Sequence, residues 1–257
     1  MSFSNKVVLI TGASSGIGAE CALIFAKSSA TLVLIGRNEN NLSIIANQCE
    51  KLNHIKPLVI VADITSDKDI DNIVEETIQK CNKIDVLVNN AGINSILGAH
   101  TPIEAYDRVI GTNLRGTYAL TTKILPHLMK TKGNIVNLSS ILSKKPLPIM
   151  TPYCMSKAAL DMFTKCTALQ YGPKGVRVNA VNPGPVKTEL FRRGGMRDSD
   201  CDRMFANIKM STSLKKITTA EDVAELVMFL ASDKASSING SCHVIDCGLM
   251  LGEADNL

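Results

Sequence analysis

The sequence predicts an α/β fold, a doubly wound parallel sheet of seven strands with helices on both faces. Three observations predict it: seven short apolar runs recur along the chain, stretches of helical period separate most of them, and the first run ends in a glycine-rich turn that opens straight into a helix. The apolar runs are 6–11, 31–35, 58–62, 84–89, 134–138, 177–181 and 243–246. Helical period covers 16–28, 39–52, 67–81, 102–130, 152–171 and 219–231.

Taken in order, the first strand is Val7-Val8-Leu9-Ile10, and it runs into Thr11-Gly12-Ala13-Ser14-Ser15-Gly16-Ile17-Gly18. The second ends at Leu34-Ile35 before Gly36-Arg37-Asn38, the third at Val61-Ala62-Asp63-Ile64, and the fourth at Asn89-Asn90-Ala91-Gly92. The fifth is followed by Ser140, and the next helix begins with Tyr153-Cys154-Met155-Ser156-Lys157. The last helix opens with Thr218-Thr219-Ala220-Glu221, where Thr218 can cap and Glu221 reach back as a capping box. Segment 186–216 breaks the rhythm with Arg192-Arg193-Gly194-Gly195 and Met196, Met204 and Met210. An insertion after a strand's carboxyl end belongs at the ligand-binding edge of such a sheet.

The 257 residues suit one large domain or two small ones, and the absence of a linker, repeat or low-complexity tract favours one, 1–257. At this size roughly 70–75% of the unfolded surface is buried, so no disulfide or metal is needed for stability. The net charge of +4, without a basic tail or stripe, argues against a nucleic-acid partner. No signal segment precedes Val7 and no apolar run approaches the ~20 residues of a membrane span, so a soluble cytoplasmic protein is expected. The eight Cys show no C-x-x-C pair and no zinc spacing, and Cys242 and Cys247, at odd spacing in a strand, would face opposite ways.

Glycines in the first turn let a backbone approach a pyrophosphate, and the helix N-terminus offers unpaired N–H groups to that anion. An acid after the second strand would repel a 2′-phosphate, whereas Arg37 attracts one, so NADP is favoured over NAD. Asp63 can accept from an adenine amino group or cap the helix near Asp67. Tyr153 and Lys157, four apart, point off one helix face. A tyrosine of pKa about 10 that trades a proton near neutral pH must ionise about 4 kcal/mol more easily, and a neighbouring ammonium and the positive nicotinamide ring of the oxidised cofactor supply that sign of field. Ser140, thirteen residues before Tyr153, can hydrogen-bond a substrate oxygen.

With these motifs in this order, together with Asn113 and Asn182-Pro183-Gly184 with Thr188, the sequence resembles the short-chain dehydrogenase/reductase family from Lys6 to about Gly248. The resemblance implies a Rossmann-type sheet and a catalytic set of Asn113, Ser140, Tyr153 and Lys157. Tyr153 would be the general acid for ketone reduction, Ser140 would position the carbonyl, Lys157 would bind the nicotinamide ribose and depress the tyrosine pKa, and Asn113 would hold a relay water. Cofactor contacts are implied at Gly12, Ser14, Ser15, Gly16, Ile17, Gly18, Arg37, Asp63, Ile64, Asn90, Ala91, Gly92, Tyr153, Lys157, Pro183, Gly184, Val186 and Thr188. A homotetramer or homodimer is implied, through helices 102–130 and 152–171 and the final strand.

Departures from the family pattern are Ser143, where Gly is usual and which would stiffen the loop, and Cys247 before Gly248. Lys144-Lys145-Pro146 and Arg192-Arg193 put basic residues near the pocket mouth, as a solvated rim or to steer an anionic or thioester substrate. The substrate pocket is expected from Ile93, Ser95, Ile96, Leu97, Ile141, Leu142, Ile149, Met150, Phe191, Met196, Met204 and Phe205. Their apolar character favours reduction of a hydrophobic ketone of steroid, terpenoid, retinoid or acyl type. A β-ketoacyl thioester reductase is the alternative enzyme, and a catalytically silent NADP-sensing or scaffold protein is the alternative of another class.

Overall fold

The computed structural model describes residues 1–96 and 102–252. Seven strands form one sheet: β1 (Val7–Thr11), β2 (Thr31–Gly36), β3 (Leu58–Val61), β4 (Val86–Asn89), β5 (Asn134–Leu138), β6 (Arg177–Pro183) and β7 (Cys242–Ile245). Their order is β3-β2-β1-β4-β5-β6-β7, and every pairing is parallel. The chain builds outward from β1 to β3, then returns to lay β4 on the other side of β1. Strand order reverses there, which opens a crevice at the carboxyl ends of β1 and β4.

The helices are α1 (Gly16–Lys27), α2 (Glu39–Asn53), α3 (Asp67–Cys81), α4 (Ile103–Ile110), α5 (Thr117–Thr131), α6 (Thr151–Tyr171), α7 (Leu190–Arg193), α8 (Asp198–Ser211) and α9 (Ala220–Ala231). Alternate side chains of β1 explain why they cover both faces. Val8 and Ile10 pack with Phe25 of α1 and Val227 of α9, while Val7 and Leu9 pack with Ile70 of α3 and Leu120 of α5. Each such fully buried side chain contributes about 1.5–3 kcal/mol.

Several boundaries differ from those read in the sequence. Strand β4 starts at Val86 rather than 84; Asp85 just before it still bonds through its backbone to Val7 and Asn134, and its carboxylate accepts the Val7 N–H at 2.8 Å. The expected single helix over 102–130 is α4, a π-helical turn at Gly111–Gly116 and α5. Helix α9 is capped one residue later than expected: Thr219 and Asp222 form the capping box, while the Thr218 hydroxyl donates to the Ile245 carbonyl. Ser66, not Asp63, caps α3. The segment 186–216 contains α7 and α8, held together by Phe191 against Phe205, edge to face at 5.7 Å. Cys242 lies in β7 but Cys247 lies beyond it with φ 54°, so strand alternation does not relate the two; all eight thiols are free. Among the described residues no helix is long and apolar enough to cross a membrane.

Candidate active site

The carboxyl ends of β1 and β4 are tied by short side chains. Thr11 Oγ1 accepts from the backbone N–H of Asn90 and of Ala91, each at 3.0 Å, and Asn90 Nδ2 donates to the carbonyls of Thr11 and Gly12. That lock requires glycine at two places. Gly12 has φ +66°, and a Cβ on Gly18 would stand 2.4 Å from the Gly12 carbonyl oxygen. With Gly18, α1 starts close against the strand. Ser15, its N-cap residue, makes no side-chain capping bond, so the first-turn N–H groups stay available to an anion. A nucleotide pyrophosphate fits this cradle.

At the far end of the crevice Arg37 Nη1 stands 3.4 Å from Asp63 Oδ2. Burial pushes the Asp63 carboxyl up, but the N–H and hydroxyl of Thr65 and then the Arg37 guanidinium more than offset this and hold it below the usual carboxylate range.

Tyr153 and Lys157 stand one turn apart on α6, at 7% and 4% exposure. Ser140 ends the β5 connection and caps a single 3₁₀ turn, its Oγ accepting from Leu142 N at 3.1 Å. The expected lowering of the tyrosine pKa by Lys157 is not what this arrangement produces. Burial pushes the Tyr153 hydroxyl up to about 12, with a Ser140 hydrogen bond only partly opposing it. Lys157 Nζ donates instead to the Leu138 carbonyl at 2.7 Å and lies 5.5 Å from the tyrosine ring centre. Burial pushes its ammonium down to about 8, against the pull of the Asp161 carboxylate.

Asn113 sits on the π-helical turn with its side chain fully engaged: Oδ1 accepts from Ile93 N at 2.8 Å, and Nδ2 donates to Ile93 O and to Ser156 Oγ. It clamps the segment leaving β4. Ser143 accepts from Asn182 Nδ2 at 2.9 Å, the same amide that holds the Ser140 carbonyl and the Asp161 carboxylate. The departure at Ser143 thus braces the loop carrying Ser140.

A cleft of about 640 Å³ unites these ends. Gly12, Ser14, Ser15, Gly16, Ile17, Arg37, Asp63, Ile64, Asn90, Ala91, Gly92, Tyr153, Lys157, Pro183 and Thr188 all line it. Gly18, Gly184 and Val186 do not: Gly18 is pressed on Gly12, Gly184 lies against Asp246, and Val186 is buried in the core with α1 and α9. Ser140 and Asn113 stand behind the lining.

The expected substrate wall needs more revision. Of that set Ile93 alone lines the cleft, with Ser95 in an adjoining pocket of about 180 Å³. Leu142, Met150 and Ile96 pack around Tyr153 and Val109, and Phe191 is spent on Phe205. Ile141 is buried, Ile149 is exposed, and neither Met196 nor Met204 reaches the cleft. Leu97 lies outside the described residues. In their place stand Asn94, Arg108 and Thr112, which are not expected there from the sequence, and Arg193, which the Arg192-Arg193 pair places near the pocket mouth.

Comparisons with known proteins agree with this architecture. A family model described as enoyl-(acyl carrier protein) reductase matches residues 12–250. The chain is 35% identical to the 3-oxoacyl-[acyl-carrier-protein] reductase of Thermotoga maritima, covering 98% of this chain and 100% of that protein. It is 35% identical to the L-xylulose reductase of Caenorhabditis elegans, covering 96% of each. A crystal structure of a short-chain dehydrogenase/reductase from Caenorhabditis elegans with cofactor superposes with a TM-score of 0.92 at 34% identity, covering 97% of this chain and 96% of that one.

Proposed function

The chain belongs to the short-chain dehydrogenase/reductase family, oxidoreductases that act on alcohol/carbonyl pairs with a nicotinamide cofactor, and on that premise we propose that it reduces a ketone with NADPH. One observation carries this reading: the glycine cradle, Arg37, Tyr153 and Lys157 all open on a single cleft. The reduced nicotinamide supplies the hydride. Tyr153 holds the proton that the carbonyl oxygen takes up, and burial keeps that proton in place through neutral pH. Ser140, fixed by its 3₁₀ turn and braced through Asn182, orients the carbonyl beside it. Lys157 holds the ribose and presents positive charge to the phenol after its proton leaves. A hydrophobic body on the substrate is proposed from Ile93, which lines the cleft, and from Ala105 and Val109, which line the pocket beside it.

The preference for NADP rests on Arg37. A charge-assisted hydrogen bond is worth about 1.5–3 kcal/mol, and an exposed guanidinium that shares its charge with Asp63 belongs at the lower end. Arg37→Ala should therefore raise the KM for NADPH about tenfold and leave that for NADH within about twofold, measured by cofactor oxidation with one carbonyl substrate. Equal effects on both cofactors would remove the phosphate from the reading.

A β-ketoacyl thioester is the second reading, favoured by the 35% identity to the Thermotoga maritima reductase. It is separated from the first by whether a carrier-bound ketoacyl chain is reduced faster than free ketones. Eight free thiols suit a reducing compartment, so the proposed site of action is the cytoplasm. The enzyme is proposed to form one catalytic domain, with 186–216 as its substrate-side insertion. Exposed Tyr118, Met155, Met162 and Leu169 on α5 and α6, with Val244 on β7, supply apolar surface for a homotetramer or homodimer. Sedimentation equilibrium should give that mass, and Leu169→Glu should lower it; a wild-type monomer at micromolar concentration would dismiss the assembly.

A further inference from the structure

We propose that the substrate carries an oxyanion, a carboxylate or phosphate, and that Arg108, Arg193 and Asn94 bind it in the pocket of about 180 Å³ beside the main cleft. The proposal rests on the carbonyl-reducing reading and extends it to the far end of the substrate. Ile93, Asn94, Arg108 and Arg193 line both the cleft and this pocket, so one ligand can occupy the two together. Arg108 comes from α4 and Arg193 from the end of α7, elements that the sheet topology brings to the same edge.

Charge accounting separates Arg193 from its neighbour. Arg192 is engaged by Glu189 at 3.0 Å and by Asp198 at 2.7 Å. Among the described residues neither Arg108 nor Arg193 has an acidic group within 4 Å. Glu189, the carboxylate on the cleft lining nearby, is already paired with Arg192. Two guanidinium groups on one pocket repel each other, and an oxyanion between them reverses that term while accepting planar, paired hydrogen bonds.

Asn94 is the independent observation. It is 7% exposed, and neither Oδ1 nor Nδ2 has a hydrogen-bond partner among the described residues. A buried amide left unpaired is costly, and Asn94, whose two polar atoms are shielded in the free protein, gains a partner if Nδ2 turns toward an anion in the pocket it lines. The neighbouring backbone is shaped around it. A Cβ on Gly194 would stand 1.9 Å from Asn94 Oδ1, and Ile96 N donates to the Gly194 carbonyl at 3.3 Å. Glycine at 194 lets the segment carrying Arg193 close onto Asn94 without displacing the Asn94 side chain.

The test uses the enzyme–NADPH complex with 4-oxopentanoate against its methyl ester, and dihydroxyacetone phosphate against dihydroxyacetone. Turnover is followed by NADPH oxidation and binding by calorimetry. The wild type should favour at least one anion over its neutral partner by tenfold or more in kcat/KM, the preferred pair telling carboxylate from phosphate. Discrimination should fall to near one in Arg108→Gln/Arg193→Gln and recover in part with Arg193→Lys, with NADPH affinity reporting that each variant is folded. Neutral carbonyls reduced without discrimination, or discrimination unchanged in the double variant, would overturn the anion site and leave the carbonyl reading standing. Anion binding that depends on the two arginines, with no carbonyl reduced, would uphold the site and sink the reductase reading.

Discussion

Tyr153→Phe should lower kcat for carbonyl reduction by about 10²–10⁴-fold, the usual worth of a positioned general acid, and change the NADPH dissociation constant little. The substitution removes one hydroxyl from a phenyl ring that stays packed against Val109 and Met150, so the fold has no reason to change. Because burial holds the wild-type hydroxyl at about 12, it is protonated throughout the working range, and loss of that proton does not limit reduction near neutral pH. Steady-state NADPH oxidation, with cofactor fluorescence for binding, checks both halves. A variant with activity within threefold of the wild type would mean that another group delivers the proton.

Lys157→Met should move activity and stability in opposite directions. Activity falls at least 10²-fold, since the variant has no ammonium for the ribose or for the phenolate. Stability without cofactor rises near neutral pH. Lys157 has an ordinary value of 10.5 and is pushed down to about 8 when folded, so charging it in place costs on the order of 3 kcal/mol. A depressed folded value for a cationic group means that the unfolded chain binds more protons between about 8 and 10.5, so the wild type gains stability as pH rises through that window. The benefit of Met is therefore greatest below pH 8 and gone by about pH 10.5. Losing the bond to the Leu138 carbonyl takes back about 1 kcal/mol, leaving a gain of about 5 °C in Tm at pH 7. Thermal melts of the two apo proteins across pH 7–10 measure this; a lower Tm for the variant at pH 7 would show that the buried ammonium stabilises the fold. By the same titration, wild-type reduction should decline above pH about 8 as Lys157 loses its proton.

These predictions draw on features of very different visibility. Gly12, Gly18 and the Tyr153–Lys157 pair were legible because their meaning is local: a left-handed φ, a strand-to-helix contact and a four-residue helical spacing survive in the primary order. Arg37 was legible because the end of β2 always meets the same edge of such a sheet. The apolar residues offered as a substrate wall misled for the opposite reason. Composition says that Phe191 and Phe205 avoid water, not that they avoid it by stacking on each other. The two helices inside 186–216 went unread because α8 buries only Cys201 and Phe205, too little to mark a helical face.

What the sequence by itself determined is the doubly wound sheet, the place of its crevice and the residue types of the proposed proton-transfer set, because strand and helix periods and turn chemistry are written in neighbouring residues. Only the tertiary structure decided the ionisation of that set and the character of the pocket beside it. Burial, which depends on every layer packed around α6, sets Tyr153 high and Lys157 low. The meeting of Asn94, Arg108 and Arg193 joins residues up to 99 positions apart, and no local pattern encodes a contact that exists only once α4 and α7 reach the same edge of the sheet.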